Sequence, residues 1–415
     1  MLRYFNVVTQ DEGGDFWKFW VGQIISTLGS SITSFALPLL VFKLTGSAMN
    51  LSLAFAANLL PYLFFGLIIG AWVDRVDRKR LMIITDFLSM LMIGTLPVLN
   101  FLGLLSIWWI YITLFVNSTL SIFFSSAAVA AVPCLVGKDD LMAANGRIQA
   151  GYSFASVIGP LLAALLLNTV PLPALLFLDA LSFLVSVISL LLVKTSFNIE
   201  GDEKKKSTSI FQDILEGLRY MLGERLTRWV TVMLVLVNLI VPTIFAEFVL
   251  FAKQAVAVSD SQLGLLYAAG SVGVVVIGLS AGRLSKLWSF SVIALGSLML
   301  QGILTIVTAF MHWFWIVLPL WAVITSMSSL FNINIASLYQ ATVPNHLLGR
   351  LSSFIRVLAW STSPLGVLAG GFVIERIHNV TLVYAGLGIL AFLVPFAFVF
   401  TPVGRVKREK IIQEA

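Results

Sequence analysis

Gly70-Ala71-Trp72-Val73-Asp74-Arg75-Val76-Asp77-Arg78-Lys79-Arg80 joins two long apolar runs, 48–73 and 81–104. A glycine at the end of a helix lets the chain turn tightly or a neighbour come close. Basic residues in such a connection are attracted to anionic lipid headgroups. That explains Arg75, Arg78, Lys79 and Arg80, and leaves the interleaved Asp74 and Asp77 without a part.

Outward from this connection the whole chain is of the same kind. Of its 415 residues 59% are apolar and only 11% charged, and the mean hydropathy is +0.98. A soluble domain is about half apolar and a quarter charged, so lipid must be the solvent for most of this chain. That excludes a soluble enzyme, a nucleic-acid binder and a disordered protein. A spanning helix takes ~20 residues. Spans are expected near 16–42, 48–73, 81–104, 107–133, 145–169, 172–194, 228–252, 261–285, 289–311, 313–340, 352–376 and 380–402. The runs are too apolar all round for soluble amphipathic helices. Asp11, Glu12 and Asp15 precede the first of them, unlike a cleavable signal peptide.

The sparse charge sets the orientation. With twelve spans and both termini on one side, 23 of the 26 Lys and Arg residues fall on that side. Only Lys43, Lys253 and Arg376 fall on the other. The positive-inside rule makes the basic side cytoplasmic, and the formal net charge of +6 becomes a topology signal. The expected location is the cytoplasmic (inner) cell membrane, with N- and C-termini inside.

One polar stretch divides the spans six and six. Residues 197–227 hold Lys204-Lys205-Lys206 and then Ile210, Phe211, Ile214, Leu215, Leu218, Met221 and Leu222 at helical spacing. They read as a cytoplasmic linker ending in an amphipathic helix on the membrane surface. The expected organisation is a six-helix bundle over 1–196, this linker over 197–227, a second six-helix bundle over 228–404, and a basic tail over 405–415. Three echoes relate the halves: Gly70…Asp74-Arg75 with Gly278…Gly282-Arg283, Val132-Pro133 with Val343-Pro344, and Gly159-Pro160 with Ser363-Pro364. The fold class is thus all-α membrane protein, twelve transmembrane helices in two pseudo-symmetric bundles. Such a repeat places a substrate site between the halves near the bilayer midplane.

The connection between spans 2 and 3 resembles the hallmark motif of the major facilitator superfamily, Gly-x-x-x-Asp-Arg-x-x-Arg-(Arg/Lys). Asp77 departs from it, since much of the superfamily has glycine there. Further stretches resemble the macrolide-efflux-like and siderophore-exporter-like drug antiporters: Thr45-Gly46-Ser47-Ala48-Met49, Leu141-Met142-Ala143-Ala144-Asn145-Gly146, Ile158-Gly159-Pro160, Leu178-Asp179-Ala180-Leu181-Ser182-Phe183 and Pro364-Leu365-Gly366. The resemblance implies alternating access, with Asp74 at the N-terminus of span 11, against Gly349-Arg350-Leu351-Ser352-Ser353. Unsatisfied N–H groups there favour a carboxylate. Gly70, Asp74, Arg75, Arg78, Lys79 and Arg80 form the gating motif, and Arg350, Ser352 and Ser353 its partner segment. Many proton antiporters of this fold carry an arginine in span 4, where this chain has Asn117.

Ionisable groups inside lipid are costly and usually functional. Glu247 in span 7 is a candidate proton or cation site, or else an interfacial acid wetted from outside. Asp179 is expected to pack helices, satisfied by Ser182 or a neighbouring helix. Asp86 is expected to pair with Arg78 or Arg80. The resemblance places the cavity among spans 1, 4, 7 and 10, sketched by Gln23, Ser30, Thr33, Asn117, Phe123, Asn238, Asn332, Asn334 and Tyr339, with Asn58 and Trp360 adding to it. The alternative for each polar member is helix–helix glue.

The expected function is proton-coupled efflux of a lipophilic, macrolide-like drug or metabolite. The alternative is the same fold exporting a siderophore, moving lipid or taking up a solute. The three histidines and single Cys134 show no metal-ligand spacing, and no Gly-x-x-x-x-Gly-Lys-(Ser/Thr) motif is present for an ATP-driven pump. No paired acid–base constellation supports an enzyme. No cofactor is expected beyond a proton gradient. The expected partners are a small lipophilic substrate and membrane lipid, without nucleic acid, for a monomer.

Overall fold

In lipid every backbone N–H must be satisfied within the protein, so the apolar runs fold as helices. The computed structural model describes residues 13–73, 76–136, 140–167, 169–197, 218–219, 221–343 and 345–406. The first six helices are α1 (Gly13–Thr45), α2 (Ala48–Val73), α3 (Arg78–Phe101), α4 (Ile107–Leu135), α5 (Leu141–Leu166) and α6 (Leu172–Leu192). After the linker come α7 (Arg225–Ala246), α8 (Phe248–Gln254), α9 (Asp260–Leu287), α10 (Phe290–Ala309), α11 (Phe314–Thr342), α12 (Asn345–Ile377) and α13 (Val380–Phe398).

Among the described residues, eleven helices are long and apolar enough to cross a membrane. The expected twelfth span, 352–376, lies within α12. Their outward faces are apolar: Leu279 of α9 is 81% exposed, and Val272, Val276 and Val292 are exposed with it. Only a lipid solvent makes such a surface stable.

Span 7 differs from expectation, because the run 228–252 is divided at Glu247 into α7 and α8. Pro242 inside α7 lacks an N–H. The hydrogen-bond ladder nevertheless continues through the junction: Glu247 N donates to Thr243 O at 3.0 Å, and Phe251 N to Glu247 O at 2.9 Å. Phe248 stacks on Trp321 of α11 and Phe251 on Tyr384 of α13, which holds α8 in place.

Contacts group the chain into two units. Unit 1 comprises 1–40 and 64–205, and unit 2 comprises 41–63 and 206–415. The segment 41–63 therefore groups differently from the expected 1–196 bundle. In unit 1, α3 packs along α4 and α6, over a core that includes Phe16, Phe35, Met82, Ile93 and Leu175. In unit 2, α10 packs on α11 and α13, and α7 on α12 and α13. The Pro402–Arg405 turn is held there by the Ser291 hydroxyl, 2.6 Å from Val403 O. Lys204-Lys205-Lys206 and most of the expected amphipathic helix lie outside the described residues; Met221 packs into the core of unit 2.

Candidate functional site

Unit 1 buries two carboxylates besides Asp15. Asp179 of α6 is 1% exposed and Asp86 of α3 is 3% exposed. Ser30 Oγ of α1 donates to Asp179 at 3.3 Å. Ser182 Oγ lies 3.2 Å from the Asp179 carboxylate, 2.7 Å from its carbonyl and 3.5 Å from Ser26 O, so its one proton has three acceptors in reach. Thr33 also faces Asp179. Helix α1 comes this close because residue 29 is glycine: a Cβ there would sit 2.2 Å from Ser182 Oγ and 2.8 Å from Asp179 Oδ1.

Asp86 lies on α3, which packs along α6, and its Oδ2 has no hydrogen-bond partner among the described residues. The expected pairing of Asp86 with Arg78 or Arg80 is overturned. Arg80 pairs with Asp77 at 3.4 Å, and Arg78 Nη1 donates to Phe197 O at 3.2 Å. Asp86 lies two helical turns further in, on the α3 face packed against α6, where neither base is its partner.

Beside these acids a cavity of about 510 Å³ opens between α1, α4 and α5. Phe19, Trp20, Tyr152 and Ile24 give it aromatic and apolar walls; Gln23, Asn145 and Gln149 supply amides. Among the described residues no acid or base lines it. Trp20 Nε1 is buried there without a hydrogen-bond partner among the described residues. Gln23 Nε2 donates to Ser186 Oγ of α6 at 3.0 Å.

The connection before α3 is only partly described. Asp74 and Arg75 lie outside the described residues, as do the side chains of Arg350, Ser352, Ser353 and Trp360. Gly70 falls in the last turn of α2. Asp77 caps α3, accepting from Arg80 N at 3.0 Å. Lys79 Nζ donates to Val193 O. The start of α1 grips the same exit of α6: Asp15 accepts from Lys194 N at 2.8 Å, Thr195 N at 2.9 Å and Lys18 Nζ at 2.7 Å. The sequence reading assigned neither aspartate a structural role. The signal for Asp77 was present, an acid directly before an apolar helix.

In unit 2, Glu247 is fully buried, not wetted from outside. It accepts from Ser52 Oγ, while its Oε2 has no partner among the described residues. Glu375 of α12 accepts from Ser47 Oγ and from Met49 N at 3.3 Å, and so sits on the N-terminus of α2. The sequence-assigned outer bases are engaged too. Lys43 and Lys253 both reach Asp260, Lys253 at 2.5 Å, and Arg376 lies over the Phe372 ring at 5.4 Å.

The expected cavity residues are not gathered in one place. Gln23 lines the cavity of unit 1. Asn117 has a buried Oδ1 without a hydrogen-bond partner among the described residues, Phe123 stacks edge-on with Trp72, and Asn58 is exposed. Asn238 and Asn332 bond carbonyls of their own helices, Leu234 O at 2.9 Å and Ser328 O at 3.0 Å. Asn334 is helix–helix glue, donating to Phe290 O of α10 at 2.9 Å. Tyr339 is packed in the core of unit 2; its length lets the ring fill the interior while its hydroxyl faces Thr231.

A family model described as Major Facilitator Superfamily matches residues 19–364. Macrolide efflux protein A of Streptococcus pyogenes is 34% identical over 179 residues, 43% of this chain and 44% of that protein. The match thus spans less than half of that relative. Multidrug efflux pump Tap of Mycolicibacterium fortuitum is 28% identical over 83% of this chain and 85% of that one. Among solved structures, the nucleoside transporter NupG gives a TM-score of 0.76 at 11% identity, over 93% of this chain and 99% of that one. A bacterial homologue of iron transporter ferroportin gives 0.71 at 16% identity, over 93% and 98%. These two likenesses establish the fold alone.

Proposed function

Because the chain belongs to the Major Facilitator Superfamily, we propose that it is a secondary exporter of lipophilic drugs or metabolites, driven by proton exchange. It works as a monomer in the cytoplasmic membrane, with both termini inside, and is not an enzyme. The observation that carries this reading is the likeness to an efflux pump over most of the chain. An aromatic, amide-bearing cavity without formal charge suits such compounds. Exchange of one proton for substrate needs an acid inside the membrane, and Asp86, Asp179 and Glu247 are buried acids without a base as partner among the described residues.

The gate belongs to the same reading. The gating role is assigned to Asp74 on the resemblance of the motif alone, with Arg350, Ser352 and Ser353 as its partner segment and Arg75 and Arg78 as further members of the motif. Neutralising Asp74 removes the charge that the helix end favours. Everted vesicles test the function: a macrolide is expected to accumulate on energisation and to leak out when a protonophore is added. Accumulation that ignores the protonophore removes proton coupling. Asp74→Asn is expected to slow transport without abolishing binding, and wild-type transport by that variant dismisses the gate.

A further inference from the structure

Helix α5 presents a polar stripe to the cavity of unit 1. Asn145, Gln149 and Tyr152 stand at i, i+4 and i+7, which is one face of a helix, and all three line the cavity. Each is exposed, and none of the three side chains has a hydrogen-bond partner among the described residues. The hydroxyls on the other two helices are engaged within their own helix: Thr27 Oγ1 donates to Gln23 O at 2.7 Å, and Ser125 Oγ to Ile122 O at 3.2 Å. Gln23 of α1 gives its N–H to Ser186 and keeps its carbonyl as an acceptor. Helix α4 adds hydrocarbon through Val129 and Val132, with Val129 77% exposed. The cavity thus has two unlike walls, an amide-bearing one on α5 and a hydrocarbon one on α4.

The α5 wall is held in place by backbone rather than by its stripe. A Cβ at Gly151 would lie 2.7 Å from Ile24 Cγ1, and a Cβ at Gly159 would lie 2.4 Å from Ser31 Cβ. Glycine at both positions lets α5 lie directly on α1, so the amides are free to meet a ligand. Formal charge is kept off the lining. Arg147 lies between Asn145 and Gln149 in sequence and so on another side of the helix, with its guanidinium carbon 5.2 Å from the Trp17 ring centre. Asp15 and Lys18 hold each other at 2.7 Å, and Asp15 also holds the backbone of Lys194 and Thr195. An ion entering this cavity gives up its water and meets no counter-charge. A hydroxyl or a carbonyl gives up far less, because an amide can pair with it.

We propose that this cavity selects uncharged, facially amphipathic compounds, with hydroxyl and carbonyl groups along one side and hydrocarbon along the other, and that Asn145 and Gln149 determine that specificity. The polar side lies along α5, where each amide both donates and accepts and so takes either group. A further hydroxyl donates to Gln23 Oε1. The hydrocarbon side lies on Val129 and Val132. A volume of about 510 Å³ accommodates a compound of drug size. The inference rests on the exporter reading and deepens it, naming the class of compound and the residues that select it.

The test uses the purified full chain in nanodiscs with tritiated erythronolide B, an uncharged polyhydroxylated lactone, as probe. Tetraphenylphosphonium and tetraphenylborate, a cation and an anion of one shape, serve as competitors. Wild type is expected to bind the lactone and to release it to neither ion. Gln149→Leu is expected to weaken lactone binding about tenfold, the size expected of a lost hydrogen bond whose partner is left unpaired. Gln149→Glu supplies the missing counter-charge. It is expected to make the bound lactone displaceable by tetraphenylphosphonium and not by tetraphenylborate, a gain that a misfolded variant cannot give. No binding of the lactone by wild type overturns the inference, as does its displacement by either ion. Wild-type affinity in Gln149→Leu, or no phosphonium displacement in Gln149→Glu, takes the α5 stripe out of the site and overturns it equally. Lactone binding of the expected pattern without accumulation in everted vesicles sinks the exporter reading alone. Protonophore-sensitive accumulation of tetraphenylphosphonium in place of the lactone keeps the exporter and sinks the selectivity.

Discussion

Gln301 in the middle of α10 is fully buried, and neither end of its amide has a hydrogen-bond partner among the described residues. A buried polar group left unpaired costs about 1–3 kcal/mol. Gln301→Leu keeps the side chain's bulk and removes that cost, so its thermal unfolding midpoint in detergent is expected to rise. A midpoint that falls assigns the amide an unseen partner. The opposite sign belongs to Asp77, whose carboxylate caps α3. Asp77→Ala is expected to cost about 1 kcal/mol, and Asp77→Asn far less, because asparagine caps as well. The exposed ion pair with Arg80 contributes little to either figure. Local pattern carried Asp77, since a cap and its helix are neighbours in sequence. It could not carry Asp15, whose partners Lys194 and Thr195 lie at the far end of unit 1's chain. Nor could it show that Arg78 and Arg80 turn to Phe197 O and Asp77 rather than to Asp86.

At the scale of elements, the helices were legible because lipid demands long apolar runs; most of their ends were placed to within a few residues, but α12 begins at Asn345, well before the expected 352, and span 7 is divided. What hydropathy does not register is which helix faces which. Close approach in unit 2 depends on Gly371: a Cβ there would lie 2.1 Å from Ser52 Oγ and 3.1 Å from Ala48 O, so α12 and α2 meet nearly backbone to backbone. Ser52 is also the residue that donates to Glu247. Gly371→Ala must push Ser52 aside, and overpacking of this kind costs about 1–3 kcal/mol. Ser52→Ala loses the same hydrogen bond directly. Because both changes break one contact, their effects on thermal unfolding are expected to be less than additive. Full additivity in the double variant separates the glycine from the Glu247 contact. The junction between α8 and α9 is read by the same logic. Lys253 has an 11% exposed side chain and Lys43 a 46% exposed one, though both hold Asp260. Lys253→Met is therefore expected to destabilise more than Lys43→Met, which removes a surface pair that is worth less than ~1 kcal/mol.

Over the whole molecule, the sorting of 26 bases rests on the number of crossings. The division of span 7 at Glu247 bears on that number, because α8 has only seven residues and cannot cross alone. α7 and α8 together preserve the alternation only if they act as one crossing, and the unbroken hydrogen bonding through Glu247 supports it. Two exposed positions measure the parity. Leu104 follows α3 and Ser285 lies at the end of α9, so five crossings separate them when α7 and α8 count once. The single Cys134 makes a cysteine-free background a one-residue change. In that Cys134→Ser background, Leu104→Cys is expected to react with a membrane-impermeant maleimide in intact cells. Ser285→Cys is expected to react only once the cells are opened. Labelling of both from the same side means an even number of crossings between them. That outcome breaks the positive-inside assignment downstream of Glu247, and with it the placement of Lys253 and Arg376 on the outer face.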